Sequence, residues 1–272
     1  MHSSYNVEKE GLELKMKELL IVGENGFLGT ELKKELISEN VYKISDTSKN
    51  LSHENYFNLN EKHNLKLEKY SVIILLAAIT NIRFCENNRK LCYETNFKST
   101  IRFINEAVSK GCFVIFLSTN AVFDGRKSFY LFDDEHNPLT RYGEYKSLAE
   151  QWITKNCCNK VAILRLTKVL PKKENAPFVK RWIDEVSLNG VSKVFTNHFL
   201  SPISTLEAIE AIKKLITCEM GGVFQKGADF ELSYADYAKE FFKDKSQIYI
   251  HLEKVQQGDR NFYNSLKTYL PK

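Results

Sequence analysis

No two cysteines in the chain are separated by just two intervening residues, the spacing that a zinc ribbon or a dithiol redox centre requires. The six that occur are scattered, and the adjacent pair Cys157-Cys158 is badly placed to bridge. That pattern argues against a disulfide framework and a zinc site and fits reduced thiols in a cytoplasm. No cluster of His, Asp and Glu has ligand spacing either, so no catalytic metal is expected. Long apolar stretches are also missing. The longest, Val72–Ile79, is far too short to span a bilayer and suits a buried strand. Residues 1–15 lack the apolar core of a signal peptide, and Met16 opens MKELLIVGENGFLG, so they read as a polar extension or tag. The net charge of +5 is not gathered into a block: Lys33-Lys34, Lys172-Lys173 and Lys213-Lys214 are separate doublets without interleaved aromatics. Nucleic acid and membrane are therefore not expected partners, whereas an anionic small molecule is. There is no internal repeat and no low-complexity segment. Proline is scarce, with three of the five residues inside the less regular stretch 171–202.

What is present is a globular composition, 43% hydrophobic and 27% charged over 272 residues, ample for a sizeable core. Glu18–Val22 reads as a strand and is followed by a helical pattern carrying Phe27, Leu28, Leu32, Leu36 and Ile37. Further strands are predicted at Val41–Ile44, Val72–Ala78, Phe113–Leu117 and Val161–Leu166, with helices over Arg89–Lys110 and Tyr142–Asn156. More helices are predicted at about 205–217 and 233–243. Alternation of this kind predicts an α/β fold, a Rossmann-type doubly wound parallel sheet that binds ligands beyond the carboxyl ends of its strands. The expected division is a nucleotide domain over 16–170, returning near 203–218, and a smaller C-terminal α/β substrate-binding part from 171–202 and 219–272.

Two loops carry chemistry. GENGFLG sets Gly23, Gly26 and Gly29 between the first strand and the first helix, where a dinucleotide pyrophosphate meets free helix N–H groups. Asp46 follows the second strand, where an acid can accept from an adenosine ribose hydroxyl. Ser48 and Lys49 could instead receive a 2′-phosphate, so NADPH and NADH both stay open as cofactors. The second loop is FLSTNAVFDG, residues 116–125, an apolar strand that stops at hydroxyls and an amide. Downstream, Tyr142 and Lys146 are four apart at a helix start and so share a face. A phenol with a reference pKa near 10 becomes a usable acid–base group beside an ammonium. Thr119 is placed to hydrogen-bond the reacting oxygen.

Together these segments resemble the extended short-chain dehydrogenase/reductase family, most closely its dTDP-4-dehydrorhamnose reductase branch. GENGFLG is similar to the family glycine motif, LLAAIT to its third-strand segment, and FLSTNAVFDG to STDYVFDG. NPLTRYGEYKSLAEQ resembles PLNxYGxSKxxGE, RLTKVL resembles RTSWVY, and NHFLSPIS resembles the QxGSPT stretch. The resemblance implies a catalytic triad of Thr119, Tyr142 and Lys146, with Lys146 also binding the nicotinamide ribose. It places Gly23, Gly26, Phe27, Leu28, Gly29, Ala77, Ala78 and Asn96 along the cofactor or around it. The implied activity is reduction of a keto group on a nucleotide-linked deoxysugar, 4-keto in the first instance, for a surface polysaccharide or glycan.

Departures from the family fall where substrate is expected. Asn120-Ala121 replaces an Asp-Tyr pair, Lys168 a tryptophan, and His198, Phe199 and Leu200 a small polar start before Ser201. Arg83 interrupts a more acidic region. Asn120, Arg83, Lys168, His198 and Ser201 are accordingly candidate substrate contacts. The same departures argue against a sugar-nucleotide dehydratase, which resemblance would give an Asp-Glu pair here, and against an epimerase-reductase, which would have a cysteine at Ala121. A sugar-nucleotide epimerase, or a non-catalytic NAD(P)-binding regulatory protein like the methionine adenosyltransferase regulatory subunit, is the alternative. A homodimer is the family habit.

Overall fold

Strand β1 (Lys17–Val22) lies next to one edge of a six-stranded, wholly parallel sheet. Its last four residues are buried on both faces, which is why the run is continuously apolar. The computed structural model describes residues 16–47, 56–171, 177–243, 251–255 and 260–271, so Ser48 and Lys49 lie outside the described residues. Helix α1 (Phe27–Glu39) leads to β2 (Tyr42–Asp46), which pairs with one edge of β1. The chain then crosses back to β3 (Val72–Leu75) on the other edge of β1. Beyond β3 lie β4 (Phe113–Thr119), β5 (Val161–Leu166) and β10 (Gly222–Lys226), giving the order β2-β1-β3-β4-β5-β10. The reversal between β1 and β3 opens a crevice at their carboxyl ends, the place where such sheets take ligands.

Alternate residues of each strand feed two apolar layers. Leu19, Ile21, Ile74, Ile115 and Leu164 pack with Leu32 and Leu36 of α1 and with Ile212 and Ile216 of α7 (Thr205–Cys218). Leu20, Val22, Ile73, Val114, Phe116 and Ile163 pack on the other face with Phe103 and Ile104 of α4 (Thr100–Ser109) and Ala149 and Ile153 of α5 (Arg141–Asn156). The sheet is therefore covered on both sides, as its strands predict. Helix α7 is opened by a reciprocal capping box between Ser204 and Glu207, a purely local signal.

Three elements depart from expectation. β3 stops at Leu75, because the N–H groups of Leu76 and Ala77 both turn to Val22 O and bend the chain toward Gly23. The single helix predicted for Arg89–Lys110 is α3 (Arg89–Tyr93), a π-helical turn over Glu94–Ser99, and α4, preceded by a short α2 (Ile82–Asn87). The stretch 171–202 holds a full helix, α6 (Pro177–Asn189), starting on a proline. Phe178, Val179, Trp182 and Val186 recur on one of its faces and are buried. The first three build a third apolar cluster with Ala235, Tyr237, Ala238 and Phe241 of α8 (Tyr234–Phe242).

Short strands complete the fold. β6 (Val169–Leu170) pairs with β9 (Ile203–Ser204), and β7 (Val191–Phe195) with β12 (His251–Val255). β8 (His198–Leu200) lies between β11 (Leu232–Ser233) and β13 (Phe262–Tyr263). Among the described residues, no helix is long and apolar enough to cross a membrane, and no group of three or more His, Cys, Asp or Glu could hold a metal.

Candidate active site

The glycine loop is shaped by two close approaches. Gly23 has φ +99°, and a Cβ there would lie 2.7 Å from Ala77 N, so loop and β3 end are pressed together. A Cβ on Gly29 would lie 2.4 Å from Gly23 O, so α1 starts hard against the loop. Gly26 differs: its φ is −74°, and a Cβ would meet only Gly23 O at 3.3 Å. It caps α1 without a side-chain hydrogen bond, and no acid stands in the first turn. The amide groups of a 13-residue helix are thus left open toward the crevice, the arrangement that receives a pyrophosphate.

At the adenosine side, Asp46 ends β2 and forms an ion pair with Lys33 of α1. Glu24, for which the sequence carries no signal, is buried in the glycine loop and accepts from Thr47 Oγ1 at 3.2 Å and Asn25 Nδ2 at 2.6 Å. Ala78 lines the crevice, while Ala77 packs on Gly23. Asn96 sits in the π-helical turn and is completely buried. Its amide donates to Ile79 O and accepts from Ile79 N, both at 2.8 Å, so it clamps the loop after β3. A π turn is one residue wider than an α turn, and this one carries that asparagine inward.

At the other end of the crevice, β4 stops at Thr119, whose Oγ1 accepts from Ala121 N at 3.1 Å and caps a tight turn over Asn120–Val122. Thr140 caps α5 in the same manner, accepting from Gly143 N at 3.1 Å. A Cβ on Gly143 would lie 2.0 Å from Ala121 O, so this glycine lets the first turn of α5 touch the end of β4. Tyr142 and Thr119 are brought together by that contact. Gly143→Ala is expected to push α5 off β4, costing about 1–3 kcal/mol in a denaturant melt and more than half of any turnover. Unchanged stability and rate would show that the contact is slack.

Burial pushes the Tyr142 phenol up to about 12, against a hydrogen bond to Thr119 that pulls it down. Burial likewise holds Lys146 down to about 7, opposed by the Glu150 carboxylate one turn along α5. The Lys146 ammonium donates to Leu117 O at 2.6 Å and lies 4.2 Å from the Phe116 ring centroid. Thr119, Tyr142 and Lys146 line one cleft of about 650 Å³ with Gly23, Gly26, Phe27, Leu28 and Gly29.

The candidate substrate contacts divide. Asn120 and Lys168 line the cleft. Arg83 is exposed on α2 and away from it. His198 is half-buried between the rings of Phe195 and Phe262, at 5.0 and 5.4 Å, and Ser201 is fully buried, donating to Ala228 O at 3.0 Å. Both hold the fold rather than the cleft. Asn264, unforeseen, reaches the cleft from the C-terminal stretch. Its Oδ1 accepts from Asn120 Nδ2 at 3.0 Å and its Nδ2 donates to Phe199 O at 3.0 Å. Asn120 therefore belongs to an amide bridge between the end of β4 and β8.

Behind the cleft is a buried polar network. Arg165 donates to Glu150 through Nε, at 3.0 Å, and a terminal nitrogen, at 2.7 Å. Glu150 also accepts from Ser118 Oγ, next to Thr119. Arg165 further donates to Phe132 O at 2.9 Å and to His136 Nε2 at 2.6 Å.

A family model described as the RmlD substrate binding domain matches residues 16–261. Among curated proteins, the methionine adenosyltransferase 2 subunit beta of Bos taurus is 26% identical over 163 residues, 58% of this chain and 48% of that protein. A dTDP-4-dehydrorhamnose reductase of Sinorhizobium fredii is 25% identical over 185 residues, 65% of this chain and 62% of that protein. The chain thus spans about half the length of the first of these relatives and under two thirds of the second. Among solved structures, a dTDP-4-dehydrorhamnose reductase from Clostridium acetobutylicum has a TM-score of 0.79 at 26% identity, over 93% of this chain and 90% of that one. The family match runs without a break from the glycine loop through the Tyr142 helix to the third apolar cluster, and the chain belongs to the RmlD substrate-binding-domain family.

Proposed function

We propose that the protein is an NAD(P)H-dependent reductase of a keto group on a nucleotide-linked deoxysugar, with the 4-keto position reduced, working in the assembly of a polysaccharide or glycan. One observation carries the reading: Thr119, Tyr142 and Lys146 share a cleft whose far end is an uncapped helix start behind a glycine loop. That open helix start fits a dinucleotide pyrophosphate, and the residues that would hold the cofactor are Gly23, Gly26, Phe27, Leu28, Gly29 and Ala78, with Lys146 on the nicotinamide ribose. The bound nicotinamide supplies the hydride. Thr119 holds the substrate carbonyl by hydrogen bonding, and Tyr142 gives its proton to the oxygen as negative charge develops there. Lys146, when charged, stabilises the phenolate left behind. The Rossmann part over 16–170 would hold the cofactor and the α6–α8 part the sugar nucleotide.

Absorbance at the nicotinamide band, followed with a panel of dTDP, UDP, GDP and CDP 4-keto sugars, tests the reading. Oxidation of NADH or NADPH by any member supports it. The similarity to a methionine adenosyltransferase subunit favours a second reading, a cofactor-binding protein without turnover. Cofactor binding with no oxidation across the panel would favour that one.

A pH dependence follows from Lys146. With its pKa held to about 7, the ammonium is present below neutrality and lost above it. Reductive kcat is expected to fall as pH rises through about 7, and Lys146→Met to be slow and flat over the same range. A wild-type profile level from pH 6 to 9 would remove Lys146 from the proton step.

A further inference from the structure

The cleft contains two lysines and no carboxylate among its lining residues. Lys146 is buried with its ammonium on a backbone carbonyl. Lys168 is the other, and it is exposed. It emerges two residues past Leu166, which is in register with Thr119 on the neighbouring strand, so it stands beside the reacting end of the cleft rather than the adenosine end. Its ammonium donates to Tyr234 Oη at 3.0 Å and lies 4.9 and 5.5 Å from the ring centroids of Phe178 and Tyr234. Tyr234 itself lines the cleft. Among the described residues Lys168 has no ion pair. A cation steered by two aromatic rings and one neutral oxygen, in a cleft free of negative charge, is poised for an anion brought by the ligand. The adjacent Thr167 also lines the cleft, and its hydroxyl is buried without a hydrogen-bond partner.

We propose that Lys168, held by Tyr234, anchors an anionic group of the substrate close to the reacting carbonyl. The group is either a carboxylate on the sugar or the phosphate that joins the sugar to its nucleotide. This rests on the reductase reading for the position of the carbonyl, whereas anion binding is measured without turnover. The geometry sets the charge at position 168 as a determinant of substrate choice.

The test is calorimetric titration of cofactor-loaded wild type, Lys168→Met and Lys168→Arg with glucose and glucuronic acid nucleotides of the dTDP, UDP, GDP and CDP series. Lys168 is exposed, so neither variant should disturb folding. Lys168→Met is expected to weaken binding by about ten- to a hundredfold, the usual effect of losing a hydrogen bond to a charged group. Lys168→Arg should retain most of the affinity, and the deficit of Lys168→Met should shrink as salt is raised. A deficit confined to the glucuronic acid series assigns the carboxylate, and an equal deficit in both series assigns the phosphate. Equal affinity of wild type and Lys168→Met for every member, or no binding of any member by wild type, overturns the proposal. Lys168-dependent binding without turnover of any keto sugar would instead count against the reductase reading and leave the anchor in place.

Discussion

Tyr142→Phe is expected to lower turnover by about a hundred- to ten-thousandfold while leaving cofactor affinity within about twofold, the range of a removed general acid. The substitution deletes one oxygen at the cleft wall and keeps the ring in its place beside Cys85, Cys92 and Tyr145. What is lost is the proton for the developing alkoxide. Because burial holds the phenol at about 12, wild-type Tyr142 carries its proton across the physiological range and is ready as an acid in the reductive direction. Thr119→Val should give a smaller loss, since it removes an orienting hydroxyl and spares the donor. Turnover of Tyr142→Phe equal to wild type would sink the catalytic assignment. Loss of cofactor binding along with turnover would mean that the ring shapes the nicotinamide pocket and would leave its acid role unsupported.

The parts of this site legible in the sequence are those whose signal is local. A strand ending in GENGFLG and a helix opening on Tyr142 and Lys146 keep all their information within a dozen residues, and both segments line one cleft. β1, β3, β4 and β5 were legible for the same reason, since each is built on a short continuous apolar run. The far wall was not. Asn264 reaches Asn120 across 144 residues of chain, and nothing near either residue announces the contact. His198 looked like a substrate contact because it interrupts a motif and Ser201 because it keeps one, yet one is stacked between rings and the other bonded to Ala228 O. Motif position says where a residue lies along the chain and not which way its side chain turns. Helix α6 was hidden by the prolines around it, although Pro177 is its first residue and breaks no hydrogen bond there.

Removing Glu150 is expected to cost about 3–5 kcal/mol, the usual penalty for stranding one member of a buried ion pair. That is a large fraction of the roughly 5–15 kcal/mol that holds a domain folded. Glu150 and Arg165 are 1% and 2% exposed, so solvent cannot take over either charge. Glu150→Ala leaves the Arg165 guanidinium with Phe132 O and His136 Nε2 and no anion. Since Arg165 donates to Nε2, His136 is the neutral tautomer with its proton on Nδ1, where it reaches Ser147 Oγ at 2.9 Å. Burial lowers the His136 pKa from its usual range, followed by an opposing push up from Glu150 and a further lowering by Arg165. The unfolded chain therefore binds a proton below about pH 6.5 that the folded chain refuses, and stability should fall on acidification through that window. The pair also reaches the reaction. Glu150 accepts from Ser118, next to Thr119, and raises the pKa of Lys146 against the effect of burial. Glu150→Gln, which keeps the shape, should therefore move the fall of reductive kcat to lower pH as well as lowering the denaturation midpoint. The double variant Glu150→Leu with Arg165→Met should recover much of the stability, because no lone charge is left inside, yet not the wild-type pH profile. A Glu150→Ala loss below about 1 kcal/mol, the scale of a solvated pair, would show that water reaches the network. A stability loss without any shift of the pH profile would make the network scaffolding alone.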